Sequence, residues 1–201
     1  MTPAGLDTAQ LLALAAVLGW ASGVRLYLVV FLTGLAGALG WVTLPAGLHL
    51  LQAPLVLGAS GVLAVVEFVA DKIPALNAVW DGLHTVLRVP GGAVLAAGVF
   101  GGDQAQWALV AALAGGALAA TSHAAKTSTT ASLVAFPEPL THAGLSLMSD
   151  LSVPAMLWLA LAHPALFAVA LVVVVAGMVV TTTVLFRFLR ALARRLTGAG
   201  A

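Results

Sequence analysis

The segment from Glu67 to Pro90 contains six of the 20 ionisable Asp, Glu, Lys, Arg and His residues of this sequence within 24 positions. Its ionisable residues are Glu67, Asp71, Lys72, Asp81, His84 and Arg88. Glu67 and Asp71 are four residues apart, so both carboxylates lie on one face of a helix, where a proton, a cation or a basic side chain must neutralise one of them. Asp81, His84 and Arg88 step by three and four and form one polar stripe. Carboxylates bind cations and exchange protons, and imidazole relays protons near neutral pH.

The rest of the chain has the composition of a membrane protein. Of its 201 residues, 62% are hydrophobic and 7% are charged, whereas soluble domains carry about 25% charged residues. The apolar runs are continuous, which favours a polytopic α-helical protein over a β-barrel with alternating polarity. The absence of cysteine excludes disulfides and thiolate metal sites. Nucleic acid is not indicated, and we expect no cofactor.

Charge near the two ends predicts the orientation of the chain. Four of the eight Lys and Arg follow the last apolar run: Arg187, Arg190, Arg194 and Arg195. By the positive-inside rule, residues 187–201 form a basic cytoplasmic tail. No basic residue precedes the first apolar run, so we expect that run to be a retained helix rather than a signal peptide.

Four full transmembrane helices are predicted, at residues 8–39, 54–72, 104–126 and 165–188. Two further segments contain prolines that should break a helix: Pro74, Pro90 and Gly91 in the first, Pro137 and Pro154 in the second. About nine apolar residues follow the breaks at Pro90 and at Pro154. Nine residues make about 14 Å of helix, which is half of the roughly 30 Å hydrocarbon core. Each segment is therefore predicted to be a broken, re-entrant helical hairpin. A count of six or more spans, with both hairpins crossing, remains open.

The second half of the chain repeats the plan of the first. Residues 61–72 (GVLAVVEFVADK) and 115–126 (GGALAATSHAAK) match in outline, and each precedes a hairpin segment. With four crossings the two units have opposite orientations, which predicts an inverted repeat within one transmembrane domain, residues 1–201. Its halves are roughly 8–102 and 103–190. Inverted repeats with broken helices are typical of secondary transporters.

Arg25 and the polar residues of the second half extend the candidate site. Residues 19–27 (GWASGVRLY) predict an interruption near the middle of the first span. Arg25 lies there, deep in the apolar run, where a charge costs about 2.5–3.5 kcal/mol. Either it faces an internal cavity and pairs with a carboxylate, or it reaches an interface beside Tyr27. The predicted ion or substrate pathway comprises Arg25, Tyr27, Glu67, Asp71, Lys72, Asp81, His84, Arg88, His123, Lys126, His142 and Asp150. No spacing is diagnostic of a metal site, so the metal is left unknown.

Several motifs resemble those of one known family. These are SGVRLY (22–27), EFVADKIP (67–74), WDGLHTVLRVPGGA (80–93) and HAAK…FPEP…SLMSDLSVPA (123–155). Together they cover nearly the whole chain and resemble an uncharacterised bacterial integral-membrane family, domain of unknown function 4126. The resemblance implies a multi-pass protein of the bacterial cytoplasmic (inner) membrane, and it implies no activity. The basic tail predicts that the C-terminus of this protein lies in the cytoplasm.

Three functions remain open. The first is a transporter or channel for a small ion or solute, with an ion or a proton as the partner. The second is a structural or lipid-organising protein held together by buried ion pairs. The third is a membrane enzyme acting on lipid, for which no nucleophile motif is present. Small-residue faces at Gly34/Gly37 and Gly115/Gly116 suit a homodimer and internal packing equally well.

Overall fold

The computed structural model describes residues 5–101, 104–135 and 139–198, and within these ranges the chain is helical without strands. The helices are α1 (Thr8–Ala38), a short 3-10 helix (Ala46–Gln52), α2 (Pro54–Ala70), α3 (Pro74–Gly98), α4 (Ala105–Ala135), α5 (Pro139–Ala162) and α6 (Pro164–Gly198). The predicted all-helical class is confirmed for the described part of the chain.

Local sequence explains where several helices begin. Asp7 caps α1, because its carboxylate accepts a hydrogen bond from the Gln10 backbone N–H at 2.7 Å, while the Gln10 side chain accepts one from the Asp7 N–H at 3.0 Å. Each of the four helices α2, α3, α5 and α6 starts with proline, whose fixed φ and missing N–H suit the first helical position.

Three described helices are long and apolar enough to cross a bilayer: Thr8–Ala38, Ala105–Ala131 and Pro164–Phe188. The 3-10 helix and α2, which meet at a bend of 69°, supply a fourth if they are counted as one broken span. Four full spans were predicted, so the prediction agrees with the count that includes the bent pair, and these apolar helices indicate a membrane protein. How α3 and α5 lie relative to a bilayer, and whether the halves form an inverted repeat, stays a prediction.

Helix α1 is the central element of the bundle. Within its apolar window 72% of the residues are buried, against 6% for α6, whose valine-rich surface faces outward. Close approach to α4 depends on glycine, because a Cβ on Gly19 would lie 2.5 Å from the Gly115 Cα. Gly37 packs on Leu44, and Gly115 also packs on Ala96. Residues of both predicted small-residue faces therefore pack within the chain.

The predicted helix breaks at Pro90, Gly91 and Pro154 are wrong. Helix α3 continues for 25 residues through Pro90 and Gly91, and α5 continues for 24 residues through Pro154. At 1.5 Å per residue each is about 36–38 Å long, more than the roughly 30 Å of a hydrocarbon core. Pro74 starts α3 rather than interrupting it, and Pro137 lies outside the described residues.

Packing against neighbouring helices explains why α3 survives its proline. Pro90 removes one backbone donor, which membrane helices tolerate where neighbours hold the chain in place. The two glycines that follow allow such support. A Cβ on Gly91 would lie 3.0 Å from Leu26 of α1, and one on Gly92 would lie 2.7 Å from the Ala119 Cβ of α4.

Candidate functional site

Eight charged side chains form a continuous chain in which positive and negative groups alternate. In order they are Glu67, Arg88, Asp81, Lys126, Asp71, Arg25, Asp150 and Lys72. We call this set the ion chain. It contains every Lys and Arg that precedes the C-terminal arginines, and its four acids balance its four bases. Its members come from α1 to α5 and from the turn between α2 and α3.

The inner end of the ion chain is buried completely. Arg88 Nη2 lies 2.9 Å from Glu67 Oε1 and 2.8 Å from Asp81 Oδ1. Glu67 stands in the last turn of α2, whereas Asp81 and Arg88 stand two turns apart on α3. The side chains of Glu67 and Arg88 are 0% exposed, so this pair is removed from solvent. This buried pair joins the last turn of α2 to α3.

Lys126 connects the inner end of the ion chain, which ends at Asp81, to the outer end, which begins at Asp71. Its Nζ lies 3.0 Å from Asp71 Oδ2 and 3.6 Å from Asp81 Oδ1. Lys126 lies on α4, while Asp71 lies in the turn that follows α2. The ammonium therefore connects carboxylates that belong to different elements.

The outer end of the ion chain approaches the surface. Arg25 contacts Asp150 and lies 2.8 Å from Asp71. Asp150 Oδ2 in turn lies 3.2 Å from Lys72 Nζ, which also donates to Ser146 Oγ at 3.0 Å. Exposure rises from 1% at Arg25 to 12% at Asp150 and 36% at Lys72, so the chain runs from a dry interior to an accessible end.

A break in α1 lies beside the ion chain. Arg25 departs from helical geometry with φ −149° and ψ 82°, where the sequence predicted an interruption. Such a break leaves backbone carbonyls without helical partners. Arg88 Nη1 donates to the carbonyls of Gly23 at 3.2 Å and Val24 at 3.3 Å, and Lys126 Nζ donates to Val24 at 3.4 Å. Two cations thus stabilise the negative end of the first half of α1.

Burial decides between the two interpretations of Arg25. Its side chain is 1% exposed and contacts two carboxylates, so it pairs internally and does not reach an interface. The non-helical backbone at Arg25 and the close approach of Gly23 to Ala119 of α4 hold this part of α1 against its neighbours.

The predicted histidines lie outside the ion chain. The His84 ring stacks on Trp80 at 4.1 Å, faces the Tyr27 ring at 5.5 Å, and its Nδ1 is 2.8 Å from the Trp80 carbonyl. His123 Nε2 lies 2.9 Å from Thr85 Oγ1. His84 therefore does not share the environment of Asp81 and Arg88, although all three lie on one stripe of α3. The side chain of His142 is outside the described part of the structure.

A cavity of about 420 Å³ adjoins the ion chain between α1, α4, α5 and α6. Asp71 and Lys126 form part of its wall. Its remaining polar lining consists of hydroxyl groups, from Ser122, Thr129, Thr130, Ser146, Ser149 and Thr181. The cavity therefore offers hydrogen-bond donors and acceptors beside the ion pair of Asp71 and Lys126.

Some site residues were missed from the sequence. Ser146 and Phe68 both contact the Lys72 ammonium, the second through its ring at 3.8 Å. Each stands four residues before a charged residue of the ion chain, Ser146 before Asp150 and Phe68 before Lys72, so helical spacing could have identified them. Among the described residues, no three His, Asp or Glu side chains come together in a way that could hold a metal ion.

Comparison with known proteins identifies a family. No curated protein and no solved structure matches the chain. The profile of one family matches residues 12–183, which include all eight members of the ion chain. This match spans most of the 201 residues, so the chain belongs to the family described as domain of unknown function (DUF4126).

Proposed function

We propose that this protein is a membrane transporter or channel for a small ion or solute. The observation that carries the proposal is the hydroxyl-lined cavity whose wall includes Asp71 and Lys126 of the ion chain. Ionisable residues inside a membrane domain are costly and commonly mark the path of an ion, a proton or a substrate. A solute in this cavity contacts a carboxylate and an ammonium without leaving the protein.

The break in α1 supports the same proposal. Transporters use discontinuous helices because the free ends of the two halves present backbone dipoles to a ligand. Here the carbonyls of Gly23 and Val24 face Arg88 and Lys126. Movement of Lys126 towards a ligand in the cavity would break its contacts with the Val24 carbonyl and the Asp71 carboxylate. Because Val24 lies at the break in α1, ligand binding would then be coupled to the conformation of α1.

Glu67 supplies a site for a proton at the inner end of the pathway. Its Oε2 is buried and has no hydrogen-bond partner among the described residues, while Oε1 is held by Arg88. A buried carboxylate oxygen without a donor is unfavourable, and a proton or a water molecule would satisfy it. The pathway would then run from Lys72, through the cavity, to Glu67.

The membrane arrangement is part of this proposal. We place the protein in the bacterial cytoplasmic (inner) membrane with its C-terminal arginines, including the exposed Arg187, on the cytoplasmic side. The two halves are proposed to be an inverted repeat around the cavity. A homodimer is compatible with this arrangement, and the outward valine surface of α6 faces lipid.

Flux through reconstituted protein tests the proposal. Purified protein in liposomes should carry an ion or pH flux above that of empty liposomes, and Glu67→Gln or Asp71→Asn should abolish it. Asp7→Asn is the matched control, because Asp7 only caps α1 and asparagine caps equally well. Unchanged flux in both the Glu67 and the Asp71 variants would overturn the assignment.

A structural role is the second candidate, and the complete pairing of the ion chain favours it. Every acid of the chain contacts a base, and together these contacts connect five helices. In this case Asp71→Asn should lower the melting temperature of the purified protein in step with any loss of activity in cells. A folded Asp71→Asn variant with normal melting and no flux would instead favour transport.

A further inference from the structure

The outer end of the ion chain contains a recognition site for an ammonium group, which the protein fills with its own lysine. Lys72 Nζ lies 3.2 Å from Asp150 Oδ2, 3.0 Å from Ser146 Oγ and 3.8 Å from the centre of the Phe68 ring. A carboxylate, a hydroxyl and an aromatic face are the groups that bind an alkylammonium ion, through charge, hydrogen bonding and the ring quadrupole.

We infer that this site binds ammonium or a primary alkylammonium ion in exchange for the ammonium of Lys72. The exchange replaces one positive charge with another, so the ion chain stays neutral throughout. Without any cation at this position, Arg25 would be the remaining base in contact with Asp150 among the described residues, and the ion chain would carry four acids against three bases. This excess of one negative charge favours the entry of a free cation when the Lys72 side chain leaves.

Lys72 is placed so that it can leave. It stands in the turn between α2 and α3, and its side chain is 36% exposed, in contrast to the buried Arg25 on the other side of Asp150. Withdrawal of its side chain therefore requires neither unwinding of a helix nor exposure of a buried pair. Ser146, which holds the ammonium, also lines the 420 Å³ cavity, so a bound ion has a route inward.

The groups present favour an ammonium ion over a metal ion. Ca²⁺ requires six or more oxygen ligands, and Mg²⁺ keeps an octahedral shell. Here one carboxylate, already shared with Arg25, and one hydroxyl are offered, and the Phe68 ring covers another side. The ring attracts organic cations and ammonium, and the two oxygens accept hydrogen bonds from N–H donors. A quaternary ammonium ion has no such donors and should bind more weakly.

This inference names the substrate class of the cavity and in that respect rests on the proposed function. Binding itself is measured in detergent, whereas movement is measured in liposomes. Methylammonium binding without any flux would keep the site and remove the transport proposal. Flux of another ion without methylammonium binding would remove this inference alone.

The test uses methylammonium chloride and the variant Lys72→Ala. Thermal-shift titration of the full chain should give an apparent Kd about tenfold lower in Lys72→Ala than in wild type, where the tethered lysine competes at an effective concentration in the millimolar range. In the Lys72→Ala background, Ser146→Ala should weaken binding about tenfold, because a hydrogen bond to a charged group is lost. Sodium chloride and tetramethylammonium chloride at equal concentration are the controls.

Each result of this titration either supports or overturns the inference. Equal stabilisation by all three salts, or none by methylammonium, overturns the inference. If Lys72→Ala does not fold, Lys72→Gln is used, since it keeps part of the stem and a donor. If neither variant folds in sodium chloride, purification in methylammonium chloride should restore folded protein, and failure of that rescue overturns the inference as well.

Discussion

Arg88→Met is expected to destabilise the protein strongly, and a second substitution is expected to recover part of the loss. The guanidinium of Arg88 is fully buried and contacts Glu67 at 2.9 Å and Asp81 at 2.8 Å. It also donates to the carbonyls of Gly23 and Val24. Methionine keeps an unbranched apolar stem but none of these donors, so the substitution leaves a carboxylate buried without a counter-charge.

The size of the expected loss of stability follows from the burial of Arg88 and Glu67. Removing one partner of a buried ion pair costs about 3–5 kcal/mol, against a total stability of about 5–15 kcal/mol for a typical domain. Asp81 keeps Lys126 at 3.6 Å, but Arg88 is the one cation in contact with Glu67 among the described residues. Most of the cost therefore comes from Glu67. In the Arg88→Met background, Glu67→Gln removes the isolated charge and should stabilise the protein, whereas in wild type it should destabilise it.

A double-mutant cycle measures this change of sign. Unfolding in mixed micelles with increasing SDS, followed by tryptophan fluorescence, gives the free energy of unfolding of wild type, both single variants and the double variant. Arg187→Met is the matched control, because Arg187 lies on the exposed part of α6, where a substitution should change stability by less than about 0.5 kcal/mol.

Additivity would refute this reasoning. If Glu67→Gln lowers the free energy of unfolding equally in wild type and in Arg88→Met, the two side chains do not interact energetically. The ion chain would then lack its inner pair.

Three further predictions concern packing, the cavity and the proline in α3. Gly23→Ala should lower the melting temperature and Gly58→Ala should not, because a Cβ on Gly23 would meet α4 whereas one on Gly58 meets nothing within 4 Å. Gly177→Trp should reduce liposome flux without lowering the melting temperature, since Gly177 lines the cavity and its Cβ would enter open space; Gly58→Trp, outside the cavity, should leave flux unchanged. Pro90→Ala should preserve or raise the melting temperature, because α3 is continuous there and alanine restores a backbone donor; a fall would indicate that the proline is needed.

The fold was predictable from the sequence where composition alone decides it. Continuous apolar runs of about 20 residues determine the helical class and the approximate spans, because a helix satisfies all of its backbone groups within one such run, whereas a barrel strand would alternate polar and apolar residues. The interruption near Arg25 was also readable, since small residues and a charge stand together inside an apolar run. The presence of a charged internal site followed from the cost of placing such residues in a membrane domain.

The hairpins could not be decided in this way. Proline and glycine signal a break when only the local chain is considered, yet α3 and α5 pass through Pro90 and Pro154 without one. The deciding factor is contact with other helices: the glycines after Pro90 let α3 lie directly against α1 and α4, and that packing outweighs one missing hydrogen bond.

The sequence by itself determined which charges exist and that they must be neutralised inside an apolar bundle. Only the tertiary structure decided their partners. Arg25 contacts Asp150, and Lys126 contacts Asp71 and Asp81, whereas the His84 ring stacks on Trp80. The physical reason is that helical spacing fixes neighbours along one helix, whereas an ion pair between helices depends on how those helices are rotated and where they cross.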